Sequence, residues 1–195
     1  MRRKNAGSML SFLGACLLCA ACVSEEGAPV PDAATVSATV SPTLEVATQL
    51  GVRNARMPRP GMLSGAQITE DQLEGLSDAG YRHFISLRPT AEDGAGWEEA
   101  FSSSNGYAFE RLPIEGAASL TRENVERFAR MLEATEGEPT VLYCASGNRV
   151  GAMLALKAHW IDGASADEAL ELGLAAGMTR LTDPVRGLLG LEPAP

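Results

Sequence analysis

Between Thr140 and Trp160 the chain reads TVLYCASGNRVGAMLALKAHW. An apolar run, Val141-Leu142-Tyr143, ends at a cysteine, a loop of small residues follows, and Arg149 opens an apolar helical pattern. This unit constrains the fold more than any other. A strand with few polar positions belongs in the middle of a sheet. A helix that starts within a few residues of its end, apolar on most sides as Arg149 to Ile161 is, must pack back onto that sheet. Ligands in such folds sit beyond the carboxyl ends of the strands, where Cys144 lies.

The rest of the chain agrees with this frame. GMLSGAQ, YRHFISLRP, YAFERLP and TVLYC read as strands. Helices alternate with them. Thr69 with Gln72 and Ser165 with Glu168 make two capping boxes. Thr121 caps a helix whose Val125, Phe128 and Leu132 share one face. WEEAFSSS reads as a short helix closed near Gly106, and Asp183-Pro184 opens the last one. This order predicts an α/β domain with a central, mostly parallel sheet flanked by helices over residues 56–191.

The N-terminal segment reads differently. Met1-Arg2-Arg3-Lys4 is basic, and Met9 to Ala21 is apolar but too short to span a bilayer. Ala20-Ala21 then precede Cys22, an arrangement that resembles a bacterial lipoprotein cleavage site. Residues 1–22 are therefore expected to be a signal peptide, with Cys22 lipidated. Leu13-Gly14-Ala15-Cys16 is a second cleavage candidate, and a plain secretory signal is the alternative. Residues 23–55, rich in Ala, Val, Thr, Ser and Pro, read as a flexible tether. The expected location is the periplasmic or outer side of a membrane, reached only through the lipid. Cleavage at Cys22 would leave Cys144 as the one free thiol in a compartment that favours disulfides. It would also remove three basic residues, taking the net charge from −9 to about −12. Nucleic acid is excluded as a partner for the bulk of such a surface. Two histidines, His83 and His159, and no cysteine–histidine cluster give no expectation of a metal or other cofactor.

Ala145, Ser146, Gly147 and Asn148 are small or turn-tolerant, so their backbone N–H groups can converge into an anion cradle at a helix N-terminus. Arg149 offers a planar fork for two oxygens of a tetrahedral oxyanion. Cys144 then faces the cradle as a nucleophile. The competing reading is an inert buried cysteine.

Two families use this device. The loop resembles protein tyrosine and dual-specificity phosphatases, in which the cysteine attacks phosphorus, and rhodanese sulfurtransferases, in which it carries a persulfide. Four residues separate Cys144 from Arg149, the rhodanese spacing; phosphatases usually have five. Tyr143 stands where a phosphatase usually has histidine, and Val150 where it has Ser or Thr. No GHIPGA-like stretch of a rhodanese is present. The succession SGAQITEDQLEGLSDAGYRHFISLRP, YAFERLPIEG, ENVERFARML and VLYCASGNRVGAMLAL resembles, over about Pro60 to Thr182, the phosphatase-like domain family named after the beta-lactamase hydrolase-like protein, the DUF442 group.

That resemblance implies a dual-specificity-phosphatase-like fold and a phosphorylated or other oxyanion substrate. It also implies a general acid on the loop PIEGAAS, hence Glu115, with Glu92 and Asp93 as second candidates. Arg88, at a strand end beside the site, is read as structural or paired with a loop carboxylate. Three functions stay open: a cysteine-dependent phosphatase, a rhodanese-like sulfurtransferase, and an anion- or partner-binding module without turnover.

Overall fold

The computed structural model describes residues 42–192. The signal segment with Cys16 and Cys22, and the first part of the expected tether, lie outside them. The tether does not extend to residue 55. Thr43 caps a short helix, α1 (Leu44–Gln49), by accepting from the Val46 N–H at 3.3 Å. Ala47, Val52 and Ala55 are buried in the core. A six-residue helix is too short to show a period, so its one buried face was invisible in the sequence.

Five strands form one sheet in the order β1 (Arg56–Arg59), β2 (Met62–Gly65), β5 (Thr140–Tyr143), β3 (His83–Ser86), β4 (Ala108–Arg111). β1 is antiparallel to β2; all other pairs are parallel. β1 went unpredicted because Pro58 in its middle argues against a strand. Pro is tolerated there because β1 is an edge, with an irregular register to β2. β5 is central and buried throughout, as its apolar run requires.

The helices are α2 (Glu70–Asp78), α3 (Glu98–Asn105), α4 (Arg122–Ala134), α5 (Asn148–Trp160), α6 (Ala166–Ala175) and α7 (Thr182–Leu188). Both expected capping boxes form, at Thr69/Gln72 and Ser165/Glu168. The two-residue alternation of β5 divides the core. Val141 and Tyr143 pack with α1 and α2, while Leu142 and Cys144 pack with α4 to α7. Among the described residues, no helix is long and apolar enough to cross a membrane.

α5 is buried along most of its length and lies against α6. Gly151 and Gly173 make this approach possible. A Cβ on Gly151 would sit 2.4 Å from the Gly173 carbonyl oxygen and 2.5 Å from the Met178 nitrogen. Backbone cannot yield as a side chain does, so Gly151→Val is expected to cost about 3 kcal/mol. Gly187, inside α7 with nothing near its would-be Cβ, gives the contrast. Gly187→Ala is expected to stabilise by about 0.5–1 kcal/mol. Thermal unfolding of the two variants checks both signs.

The strand register brings one set of ends together. Gly65 and Ser86 both sit opposite Tyr143, and Arg111 sits opposite Ser86. The loops that leave β2, β3, β4 and β5 therefore converge at the carboxyl edge of the sheet.

Candidate active site

β5 runs directly into Cys144, which is 1% exposed, and its N–H donates to the Gly65 carbonyl at 3.3 Å. The loop then turns sharply at Gly147, whose φ of +86° is a left-handed value that favours glycine. This turn points the Gly147 N–H back at the Cys144 Sγ, 3.2 Å away. α5 starts at the next residue. No side chain caps its N-terminus, so its first-turn N–H groups have no side-chain acceptor from the cap. The expected cradle of Ala145, Ser146, Gly147 and Asn148 is thus a helix-N-terminal loop wrapped around the sulfur.

Neighbouring segments hold the loop on both sides. The Asn54 Nδ2 donates to the Ser146 carbonyl at 3.2 Å. The Asn148 Oδ1 accepts from the N–H groups of Thr179 (2.8 Å) and Leu181 (3.1 Å). Asn148, expected only as cradle backbone, therefore also ties the loop to the segment between α6 and α7.

Arg149 is 9% exposed, and its environment decides what it can bind. Its Nη1 donates to the Glu92 Oε1 at 2.5 Å and to the Ile114 carbonyl at 2.7 Å. Its Nη2 donates to the Glu92 Oε2 at 2.8 Å. A guanidinium has five N–H groups. These three bonds occupy the end-on face of the fork and leave Nε–H and one Nη2–H, the side-on pair. Two parallel donors are what a tetrahedral oxyanion can accept.

Glu92 is the residue whose role the sequence misread. It was a second candidate for the acid, but the Arg149 hydrogen bonds hold its pKa at about 2, outweighing burial, with a further contribution from Arg88. A carboxyl so held is ionised near neutrality and has no proton to give. The same contacts push the Arg149 pKa up, chiefly through the Glu92 bonds. Glu92 instead fixes the guanidinium. Glu92→Gln would place an amide N–H₂ against one of those donors, and is expected to lower kcat/KM about tenfold. A Glu92 pKa depressed from 4.5 also means a stability contribution present above about 4.5 and lost as pH falls towards 2. Denaturation across that window should show a shallower slope for the Gln variant.

Arg88 is paired as expected. Its Nε donates to the Glu92 Oε2 at 2.7 Å, its Nη1 to the Gln67 Oε1 at 2.8 Å, and its Nη2 to the Asp93 carbonyl at 2.5 Å. Glu115 is exposed on the loop after β4, with its N–H on the Ser119 Oγ at 3.2 Å. The carbonyl of the preceding residue, Ile114, accepts from Arg149, so Glu115 directly follows an Arg149 contact in the chain. Its carboxylate has no ion pair or hydrogen bond among the described residues. A cleft of about 620 Å³ is lined by Arg53, Gln67, Thr69, Gly94 and Trp97 among others, and by none of Cys144 to Arg149. Among the described residues, no group of three His, Cys, Asp or Glu side chains is placed to hold a metal ion.

Comparison with known proteins agrees with this architecture. Residues 39–182 match the family described as DSP-PTPase phosphatase fused to NAD+ kinase. Among solved structures, the fold is similar to a candidate phosphatase of the DUF442 group from Shewanella putrefaciens, at 19% identity and a TM-score of 0.55, over 75% of this chain and 99% of that one. A candidate phosphatase from Neisseria meningitidis also has 19% identity and a TM-score of 0.55, over 68% and 96%. Tk-PTP in its active form has 18% identity and a TM-score of 0.55, over 70% and 95%. No curated protein matches the sequence. The family match spans most of the chain, and it begins ahead of α1, where the structure also places buried residues of the fold. This chain belongs to the dual-specificity and protein tyrosine phosphatase-like family.

Proposed function

We propose that the protein is a cysteine-dependent phosphomonoester hydrolase. The observation that carries this reading is the pair of donors left on Arg149, next to an uncapped helix N-terminus and the Cys144 sulfur. The Nε–H and Nη2–H of Arg149 take two phosphoryl oxygens, and loop N–H groups from Ala145 to Asn148 take the others. The Cys144 thiolate attacks phosphorus, forming an S–P bond as the ester P–O bond breaks. Glu115, in its acid form, gives its proton to the departing oxygen. Water then attacks the phosphocysteine, Glu115 takes a proton from that water, and phosphate leaves with the thiolate restored.

The four-residue spacing between Cys144 and Arg149 favours a second reading, in which Cys144 carries a persulfide from a sulfur donor to a thiol. The two separate in parallel assays on the full chain. One follows phosphate release from an aryl phosphate, and the other sulfur transfer from thiosulfate to cyanide. Phosphate release without sulfur transfer supports the hydrolase, and the reverse result overturns it. Oxyanion binding with neither activity would assign a binding module.

Glu115→Gln is expected to lower kcat about 10²-fold, and more for an alkyl than for an activated aryl phosphate. A poor leaving group needs the proton most. A series of leaving groups checks this, and an equal loss for all of them would remove Glu115 from the acid role.

The N-terminal reading adds a location. The chain is exported, with Cys22 as the lipid-bearing residue. Metabolic labelling with a fatty acid, lost in Cys22→Ala and kept in Cys16→Ala, tests it.

A further inference from the structure

One buried carboxylate, with no role in the chemistry above, gathers four of the segments that surround the site. Glu98, at the start of α3, is 0% exposed. Its Oε2 accepts from the Gly96 N–H and from the Arg111 Nη2, each at 2.8 Å. Its Oε1 accepts from the Gln67 Nε2 at 3.0 Å and lies 3.5 Å from the Tyr143 hydroxyl. Arg111 is held further by Glu99 and reaches the Arg88 carbonyl at 2.7 Å. Burial pushes the Glu98 pKa up, but hydrogen bonds from Gln67, its own backbone and Arg111 together bring it below the ordinary carboxylate value. An ionised carboxylate is in place, balanced within a set of three arginines (88, 111, 149) and three glutamates (92, 98, 99).

The consequence lies in the orientation of an amide. Gln67 donates both Nε2 hydrogens, one to Glu98 and one to the Ile68 carbonyl at 3.0 Å. Its Oε1 is thereby turned toward Arg88, which donates to it at 2.8 Å. Turned the other way, the amide would set its oxygen against two acceptors and its N–H₂ against a guanidinium. Arg88, so placed, holds Glu92, and Glu92 holds the end-on face of Arg149. A chain of directed hydrogen bonds thus runs Glu98–Gln67–Arg88–Glu92–Arg149, with no donor facing a donor at any link.

We infer that Glu98 and Gln67 are positioning residues for the oxyanion clamp, acting through Arg88 and Glu92 to aim the free donors of Arg149 at the substrate. This rests on the reading of Arg149 as the clamp. In the sequence Glu98 belongs to the short helix read in WEEAFSSS and Gln67 ends the strand read in GMLSGAQ, and nothing local marks either as part of a relay.

The relay makes a donor–acceptor prediction that shape alone does not. In Glu98→Gln the new N–H₂ cannot face Gly96 and Arg111, which are both donors. It must face Gln67, where two amide N–H₂ groups then meet and the orientation toward Arg88 is lost. In Gln67→Glu two carboxylates meet in a buried place. The double variant, Gln67→Glu with Glu98→Gln, keeps size and net charge and restores the order. The glutamine donates to the new carboxylate, which still accepts from Arg88. Only the Ile68 carbonyl loses its donor.

The experiment measures the Kd of tungstate, an unreactive oxyanion, on the full chain, and KM and kcat for an aryl phosphate. The expected result is a Kd and KM about tenfold higher in each single variant, recovered to within about threefold in the double variant. General loosening of the core would lower the folded fraction and leave Kd and KM of the remainder unchanged. Unchanged Kd in a folded single variant, or no recovery in a folded double variant, overturns the inference. Gln67→Met removes all three hydrogen bonds of this side chain at similar length and should raise Kd equally; it decides the matter if a Glu98 variant does not fold. Absence of tungstate binding by the wild-type chain would instead overturn the clamp reading beneath it.

Discussion

Cys144→Ser is expected to reduce phosphate release to background, a loss of about 10⁴-fold or more. The Cys144 sulfur sits at the bottom of the loop, 1% exposed, with the Gly147 N–H directed at it. A serine hydroxyl there is a far weaker nucleophile, because it does not ionise near neutrality and, among the described residues, no side chain is hydrogen-bonded at this position to take its proton. The rest of the cradle survives the exchange. Arg149 keeps Glu92 and the Ile114 carbonyl, and α5 keeps its uncapped N-terminus. Tungstate should therefore bind the variant within a few-fold of wild type. Loss of turnover with retention of binding, read by phosphate release and calorimetry on one preparation, separates a missing nucleophile from a collapsed loop.

Arg149→Lys should be nearly as damaging, lowering kcat/KM by about 10²–10³-fold. Lysine keeps the charge, so long-range attraction of an anion is preserved. It cannot keep the geometry. The guanidinium uses one face for Glu92 and Ile114 and presents the other to substrate, and a single ammonium cannot do both. The lysine should remain with Glu92, its fixed and half-buried partner, and leave the oxyanion with backbone donors only. A variant that retained most of its activity would show that charge, rather than the fork, serves this site.

Some of this was legible in the chain and some was not, for identifiable reasons. The strand–cysteine–loop–arginine–helix unit is contiguous, so its local signals of apolar run, glycine-containing loop and apolar helical pattern sufficed to put Cys144 at the end of β5 and Arg149 in the first turn of α5. The parallel sheet followed from the alternation of strands and helices, and the central place of β5 from its unbroken apolarity. The α1 segment was read as tether and β1, inside the expected domain, was not recognised as a strand, because each is very short. α1 buries one small face, and β1 carries a proline that only an edge strand accepts. Glu92 was noticed but given the wrong task. Its position after the SLRP strand was visible, whereas the two arginines that ionise it come together only when Ser86 and Tyr143 align in the sheet. Glu98, at the start of α3, and Gln67, on the loop after β2, lie 31 positions apart, and nothing local marks the two as partners. Charged residues at a helix start are usually solvated, and only the fold turns this one inward.

The most direct test of the central claim is to look for the covalent intermediate. The full chain would be mixed with an aryl phosphate, quenched within the first turnover, and the peptide containing Cys144 examined by mass spectrometry, alongside a sample treated with thiosulfate. A phosphoryl group on the Cys144 sulfur, absent from Cys144→Ser and longer-lived when Glu115→Gln slows attack by water, is the predicted result. A persulfide on Cys144 after thiosulfate, with no phosphoryl adduct under any quench, would contradict it and make the same cradle a site of sulfur transfer.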